Sequence, residues 1–262
     1  MLWHEQTWPS IQSLDKQLPV VIPLGALEQH GHHLPLFVDT IQVTSIAERV
    51  EQRLVNQIIL TPTMWLGNSQ HHKDFPGTIS ASPSLYSQMV TTIAISVLRA
   101  GFRRLFFLNG HGGNQVPGAQ ALSELVAEND AANDAYVTFS SWWHVGREGI
   151  RPDRHGLTTP FVSHAGEYET SVMLFLRPDL VHMDRIQFQG PRLNDRWQNI
   201  EYGGPVEVYK RYSNLVAAGS MGSPQAATTE KGKGMVDAVV DEIVCFLEDF
   251  QAWPHLDRIG PK

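Results

Sequence analysis

Val20-Val21-Ile22-Pro23-Leu24, followed by Glu28-Gln29-His30-Gly31-His32-His33-Leu34-Pro35-Leu36-Phe37-Val38-Asp39, decides how the chain is read. Five consecutive apolar residues are the pattern of a strand buried on both faces, as in a parallel sheet. The polar stretch that follows holds Glu28, His30, His32, His33 and Asp39 within twelve residues. Carboxylates and imidazoles are the side chains that hold divalent metals. At the C-terminal end of a strand they stand where open α/β sheets place their sites. Glu28 and His30 leave the same face of an extended backbone.

Working outward, apolar runs alternate with helical patterns along the chain. Trp8 to Leu18 reads as a short helix, and Asp39-Thr40 as the cap of a helix from Ile41 to Leu54. Further strands are expected at Asn56 to Leu60, Arg103 to Leu108 and Ala135 to Ser140. Ser82-Pro83 starts a helix that Gly101 stops. Helices follow from Val116 to Glu128, from Glu167 until Arg177-Pro178, and from Glu230 to Phe250. Arg185 to Gly222 reads as an irregular rim loop or subunit contact. The expectation is α/β, with a largely parallel, helix-covered sheet in one domain spanning residues 1–262.

Composition narrows the function classes. A net charge of -7 disfavours nucleic acid and anionic membranes as partners. No apolar stretch approaches the roughly 20 residues of a membrane span, and the N-terminus lacks a signal core, so a cytoplasmic protein is expected. The single cysteine, Cys245, excludes a disulfide within the chain and sits in an apolar helical pattern that predicts burial.

Seven of the 12 histidines (His30, His32, His33, His71, His72, His111 and His164) fall in four short polar stretches. His111 lies in Asn109-Gly-His-Gly-Gly-Asn114, where Gly112 and Gly113 let backbone approach a metal or substrate; no Gly-Lys-Ser/Thr follows to make it a nucleotide loop. His164-Ala-Gly-Glu-Tyr-Glu-Thr-Ser171 adds Glu167 and Glu169 at a helix start. Glu28, His30, Asp39, His111 and one of these two glutamates make five ligands, with Asp39 able to bridge two ions. Such a centre hydrolyses an amide without a Ser or Cys nucleophile, and no Gly-x-Ser-x-Gly elbow is present.

The segment Pro23 to Asp39, with Phe75-Pro-Gly-Thr-Ile-Ser80, Asn109 to Asn114, His164 to Ser171 and Thr229-Glu-Lys-Gly232, resembles the creatininase (creatinine amidohydrolase) family in block order. The resemblance covers roughly Trp8 to Phe250. It implies a three-layer α/β/α sandwich, two divalent ions per chain, hydrolysis of a small cyclic amide by metal-activated water, and a homo-oligomer, often a hexamer. By position, Glu28, Asp39 and His111 match ligands of one metal, and His30 and Asp39 ligands of the other. In creatininase a glutamate completes the second site two residues after the Asn-Gly-His histidine, where this chain has Gly113. Glu167 is expected to replace it.

His164 matches the histidine that passes a proton to the leaving nitrogen, beside Glu28 as the other catalytic residue. Trp142 matches a tryptophan that covers the substrate, while a second such tryptophan is replaced by Pro160. Ser69, His72, Gly112 and Gly113 are expected around the substrate. His33 is expected to orient a ligand. His71, His144, His155 and His182 are expected to be structural or exposed. Mixed oxygen and nitrogen ligands suit zinc, manganese and iron alike. Substrate candidates are creatinine, a formamide on a pyrimidine-type heterocycle, and a peptide trimmed in redox-cofactor maturation; the alternative class is a metal-dependent binding protein without turnover.

Overall fold

The computed structural model describes residues 1–187, 206 and 209–256. In chain order the elements that position the site are α1 (Trp8–Ser13), β1 (Val20–Leu24), α2 (Val38–Arg53), β2 (Ile59–Leu60), α3 (Pro83–Arg99), β3 (Arg104–Asn109), α4 (Gln115–Glu128), β4 (Tyr136–Ser141), α5 (Trp142–Val145), α6 (Pro152–His155), α7 (Glu167–Leu176) and α8 (Thr229–Ala252). The strands pair in parallel in the order β2-β1-β3-β4, with Val20 opposite Leu105 and Leu24 opposite Asn109. All five residues of β1 and all six of β3 are buried, as their apolar runs require.

Strand periodicity divides the core into two layers. Val21, Phe106 and Leu108 pack with α2, α7 and α8 through residues such as Val43, Val172 and Val240. Val20, Ile22, Leu24, Leu105 and Phe107 pack with α3 and α4 through Tyr86, Val90 and Leu122. The result is the expected α/β/α sandwich.

Helix ends follow their local chemistry. Ser82 accepts from Leu85 N–H with Pro83 in the first turn, and Gly101 leaves α3 at φ +98°. Thr228 caps α8 by accepting from Lys231 N–H. Among the described residues, no helix is long and apolar enough to cross a membrane.

Three expectations are corrected. β2 is only Ile59–Leu60, because Asn56 takes a left-handed conformation (φ 61°) in the turn leaving α2. Asp39 and Thr40 do not precede α2 but lie in its first turn, where Thr40 Oγ1 donates to Ala26 O and the Asp39 carboxylate favours the helix dipole. Cys245 is exposed: α8 buries Ile243 and Leu247, each about 200° around the helix from it. Of the stretch Arg185 to Gly222, residues 188–205, 207 and 208 lie outside the described residues; Lys210, Arg211, Tyr212 and Leu215 border the cavity described below.

Candidate metal centre

The polar groups converge beyond the C-terminal ends of β1 and β3. Glu28 and His30 come from the loop after β1, Asp39 from the first turn of α2, and His111 from the turn after β3. His164 precedes α7 and Glu169 lies in its first turn. Asn114 ties these loops together: its Nδ2 donates to Gly25 O (3.0 Å) and Asn109 Oδ1 (3.1 Å), while its Oδ1 accepts from Asn68 N–H (2.9 Å).

Asp39 stands between two sets of donors. Its Oδ2 lies 3.1 Å from His111 Nδ1, which is 3.3 Å from Glu28 Oε1. Its Oδ1 lies 3.3 Å from His30 Nε2, which is 3.6 Å from Glu169 Oε2. His30, Asp39 and Glu169 bring one ligand atom each within 4.8 Å of one another; so do Glu28, His71 and His111, and Glu28, His30 and His164.

The histidine tautomers show what the cluster requires. His30 Nδ1 faces Glu28 O (3.1 Å), His111 Nε2 faces Asn68 O (3.1 Å), and His164 Nε2 faces Gln29 O (2.8 Å). A carbonyl only accepts, so each of these nitrogens carries a hydrogen, and in the neutral ring the other nitrogen is a bare lone pair aimed at carboxylate oxygens. Glu28 Oε1 and Oε2, His30 Nε2 and Asp39 Oδ2 are buried with no hydrogen-bond partner among the described residues. Lone pairs facing lone pairs at this depth are stabilised only by a cation or by added protons.

Electrostatics agree. Burial drives His30 toward neutrality, yet Asp39, Glu169 and Glu28 outweigh it and raise its pKa to about 9. His111 is likewise raised well above its ordinary value, against burial, by Glu28 and Asp39. Burial lifts the Glu169 pKa to about 7, with Asp39 and Glu28 adding to the shift and His30 opposing it. Burial also favours the protonated form of Glu28, but His111, His72 and His164 hold its carboxyl well below the usual range. Burial, helped by neighbouring imidazoles and opposed by Glu28, lowers the pKa of His164 and His72 well below the ordinary value.

Of the residues expected at the site, Glu28, His30, Asp39, His111, His164, His72, Gly112 and Gly113 are brought together. Glu167 is not. Its carboxylate accepts from Thr158 N–H (2.8 Å), Thr158 Oγ1 (2.7 Å) and Thr159 N–H (2.8 Å), and pairs with Lys231 Nζ at 2.7 Å. Two helical positions differ by about 200° around the axis, so only one of Glu167 and Glu169 can face the centre. Glu169 does, with its other contact the Ala165 N–H at 2.6 Å.

Trp142 is a second correction. It begins α5 and is buried in the core, so Trp143 and His144 line the cavity instead. Ser69 sits behind the wall, 3.4 Å from His111 Nε2. His33 Nε2 meets Thr170 Oγ1 at 3.0 Å, next to Glu169. His71, expected to be structural or exposed, lines the cavity stacked on His111 at 5.6 Å. The sequence reading missed Gln29, whose amide touches His72 and His164, and Tyr212, whose ring lies 4.2 Å from His72 and 4.9 Å from His164. The cavity measures about 1480 Å³, with Glu28, Asp39, His111 and Glu169 among its lining residues.

Residues 4–247 match the family model described as creatininase, creatinine amidohydrolase. The creatinine amidohydrolase of Pseudomonas putida is 29% identical over 236 residues, covering 86% of each chain. The mycofactocin precursor peptide peptidase of Mycobacterium tuberculosis is 32% identical over 235 residues, covering 86% of this chain and 82% of its own. The 3-dehydro-scyllo-inosose hydrolase of Thermotoga maritima is 27% identical over 253 residues, covering 88% and 76%. A crystal structure of creatinine amidohydrolase superposes with a TM-score of 0.81 at 28% identity, covering 95% of this chain and 96% of that one. A manganese form of creatininase (TM-score 0.80, 27% identity, 95% and 97% covered) and a Zn–Zn form of a creatininase mutant (0.79, 27%, 95% and 97%) superpose similarly. The chain therefore belongs to the creatininase (creatinine amidohydrolase) family of hydrolytic enzymes.

Proposed function

We propose that this protein hydrolyses the C–N bond of an amide at a pair of divalent cations, one held by Glu28, Asp39 and His111, the other by His30, Asp39 and Glu169. The observation that carries this reading is the divided Asp39 carboxylate, each oxygen facing a different imidazole nitrogen that is a bare lone pair whenever its ring is neutral. Bound cations of this kind lower the pKa of a water and polarise the carbonyl it attacks. His164 is the proton carrier: its Nε2–H is anchored on Gln29 O, and its bare Nδ1 lies 3.5 Å from Glu28 Oε1, facing the reacting centre. From there Nδ1 takes up a proton and delivers it to the departing nitrogen.

A cavity of about 1480 Å³ exceeds the roughly 300–1,000 Å³ typical of small-ligand sites, which supports an amide carried on a larger body over creatinine alone. Trp143 offers an aromatic wall, and Lys73 and Lys210 are among the lining residues with Arg211, which pairs with Asp74 at 3.2 Å; the two lysines suit a carboxylate or phosphate on the substrate. A formamide on a heterocycle and the terminal amide of a short peptide both meet these conditions.

The test is to load the protein separately with zinc, manganese and iron, count bound metal, and assay creatinine, formamidopyrimidines and short peptides on the same samples. Two ions per chain with turnover of one substrate class is expected. No bound metal under any condition overturns the proposal, and two ions without turnover across the panel assigns a binding role.

A further inference from the structure

Gln29 is buried, lies between two metal-candidate residues, and is neither charged nor titratable. Its amide orientation is fixed from both ends. Oε1 accepts from Gly31 N–H (2.9 Å), which only donates, and Nε2 donates to Gly219 O (2.9 Å), which only accepts. The chain passes so closely here that a Cβ at Gly219 (φ +78°) would lie 2.0 Å from Gln29 Oε1. One amide hydrogen remains, with His72 Nδ1 and His164 Nε2 both at 2.9 Å from the nitrogen.

The main-chain carbonyl of the same residue decides between them. It lies 2.8 Å from His164 Nε2, so that nitrogen carries a hydrogen and cannot accept a second. The amide hydrogen therefore goes to His72 Nδ1, and the hydrogen of neutral His72 sits on Nε2, 3.4 Å from Glu28 Oε1.

We propose that Gln29 is a positioning residue that assigns the hydrogens of both histidines flanking Glu28. Through its side chain it puts the hydrogen of His72 on Nε2, which lies 3.4 Å from Glu28 Oε1. Through its carbonyl it leaves His164 Nδ1 bare, 3.5 Å from the same oxygen. One imidazole thus turns an N–H toward the carboxylate while the other turns a lone pair toward it. The catalytic half of this assignment rests on the role proposed above for His164; the tautomer half stands on geometry alone.

The experiment is nitrogen NMR of histidine-labelled, zinc-loaded protein, in the wild type and in Gln29→Glu and Gln29→Met. The wild type is expected to show His72 and His164 both protonated at Nε2. In Gln29→Glu the new carboxylate cannot donate, so His72 is expected to gain a hydrogen at Nδ1, while His164 keeps its Nε2–H because its carbonyl partner is unchanged. Gln29→Met is expected to release His72 from a single tautomer. With the metal count still at two, kcat toward whichever of creatinine, the formamidopyrimidines or the short peptides the wild type turns over is expected to fall about 10- to 100-fold with KM little changed.

A wild-type His72 protonated at Nδ1 overturns the inference, even if neither variant folds or loads metal. So does an unaltered His72 signal in both variants. A wild type that hydrolyses no amide but shows the expected tautomers sinks the hydrolase reading and leaves the assignment of hydrogens standing.

Discussion

Replacing Glu167 and Glu169 one at a time with glutamine separates two carboxylates that lie two residues apart in one helical turn. Glu167 is buried, accepts three hydrogen bonds from Thr158 and Thr159, and pairs with Lys231. Breaking a buried ion pair costs about 3–5 kcal/mol. Glutamine keeps the shape and an acceptor oxygen, and the Lys231 side chain is 17% exposed, so a value of about 2–3 kcal/mol is expected for Glu167→Gln. At about 2–4 °C per kcal/mol for a chain near this size, the melting temperature falls by about 4–12 °C.

The metal count should stay at two, because no oxygen of Glu167 faces the centre. Glu169→Gln should behave in the opposite way. A lost ligand costs at least the roughly 100-fold in affinity seen at the upper end for outer partners, so one of the two ions is lost on dialysis. The cation-free protein should not be destabilised. Its Glu169 has a pKa of about 7 against an ordinary 4.5, so the folded state keeps a proton that the unfolded chain has released. Wild-type stability from this group is therefore lost as pH rises from 4.5 through 7. The variant never ionises there, and its advantage is largest at pH 8. Metal analysis beside thermal melts with and without chelator reads both arms. Loss of metal from Glu167→Gln with retention of both ions by Glu169→Gln would refute the assignment.

Four further outcomes are expected. Asp39→Asn removes the carboxylate shared by both donor sets, so metal analysis should find both ions lost rather than one. In the cation-free cluster His30 (pKa about 9) and Glu169 (about 7) hold protons that a metal must displace; competition titrations should therefore show affinity rising with pH, about tenfold per unit for each proton released. Gly113→Ala would set a Cβ 2.2 Å from Asn68 O, a clash worth about 1–3 kcal/mol that a thermal melt should register. Cys245 should react with a water-soluble thiol reagent in the folded protein at the rate of an exposed thiol; a rate limited by unfolding would contradict its place on α8.

The sheet and its coverings were legible because their signals are local. The runs at Val20 and Arg104 are apolar enough to be buried on both faces, and Ser82-Pro83 and Arg177-Pro178 mark helix ends by sterics alone. Five polar residues in twelve after the first run identified the site's location. What escaped depended on helix phase. Glu169 rather than Glu167, Trp143 rather than Trp142, and the exposure of Cys245 each follow from where a helix starts and which side it turns inward. The partner that occupies Glu167, Lys231, lies 64 positions away. Gln29 escaped for a different reason: a neutral amide gives no charge signal, and its role exists only through the imidazoles around it.

The donors to the two proposed cations are spread unevenly along the chain, and this bears on how the protein matures. Glu28, His30 and Asp39 arrive within twelve residues, whereas His111 waits for β3 and Glu169 for α7. Parallel strands pair only after long crossovers, so this topology folds slowly. A cation meeting the nascent or refolding chain therefore encounters three of its five eventual donor residues first, and binding there stabilises the unfinished state as well as the native one. The docking of α7 is the step that closes the cage. The moment at which metal becomes resistant to chelators should mark the docking of α7.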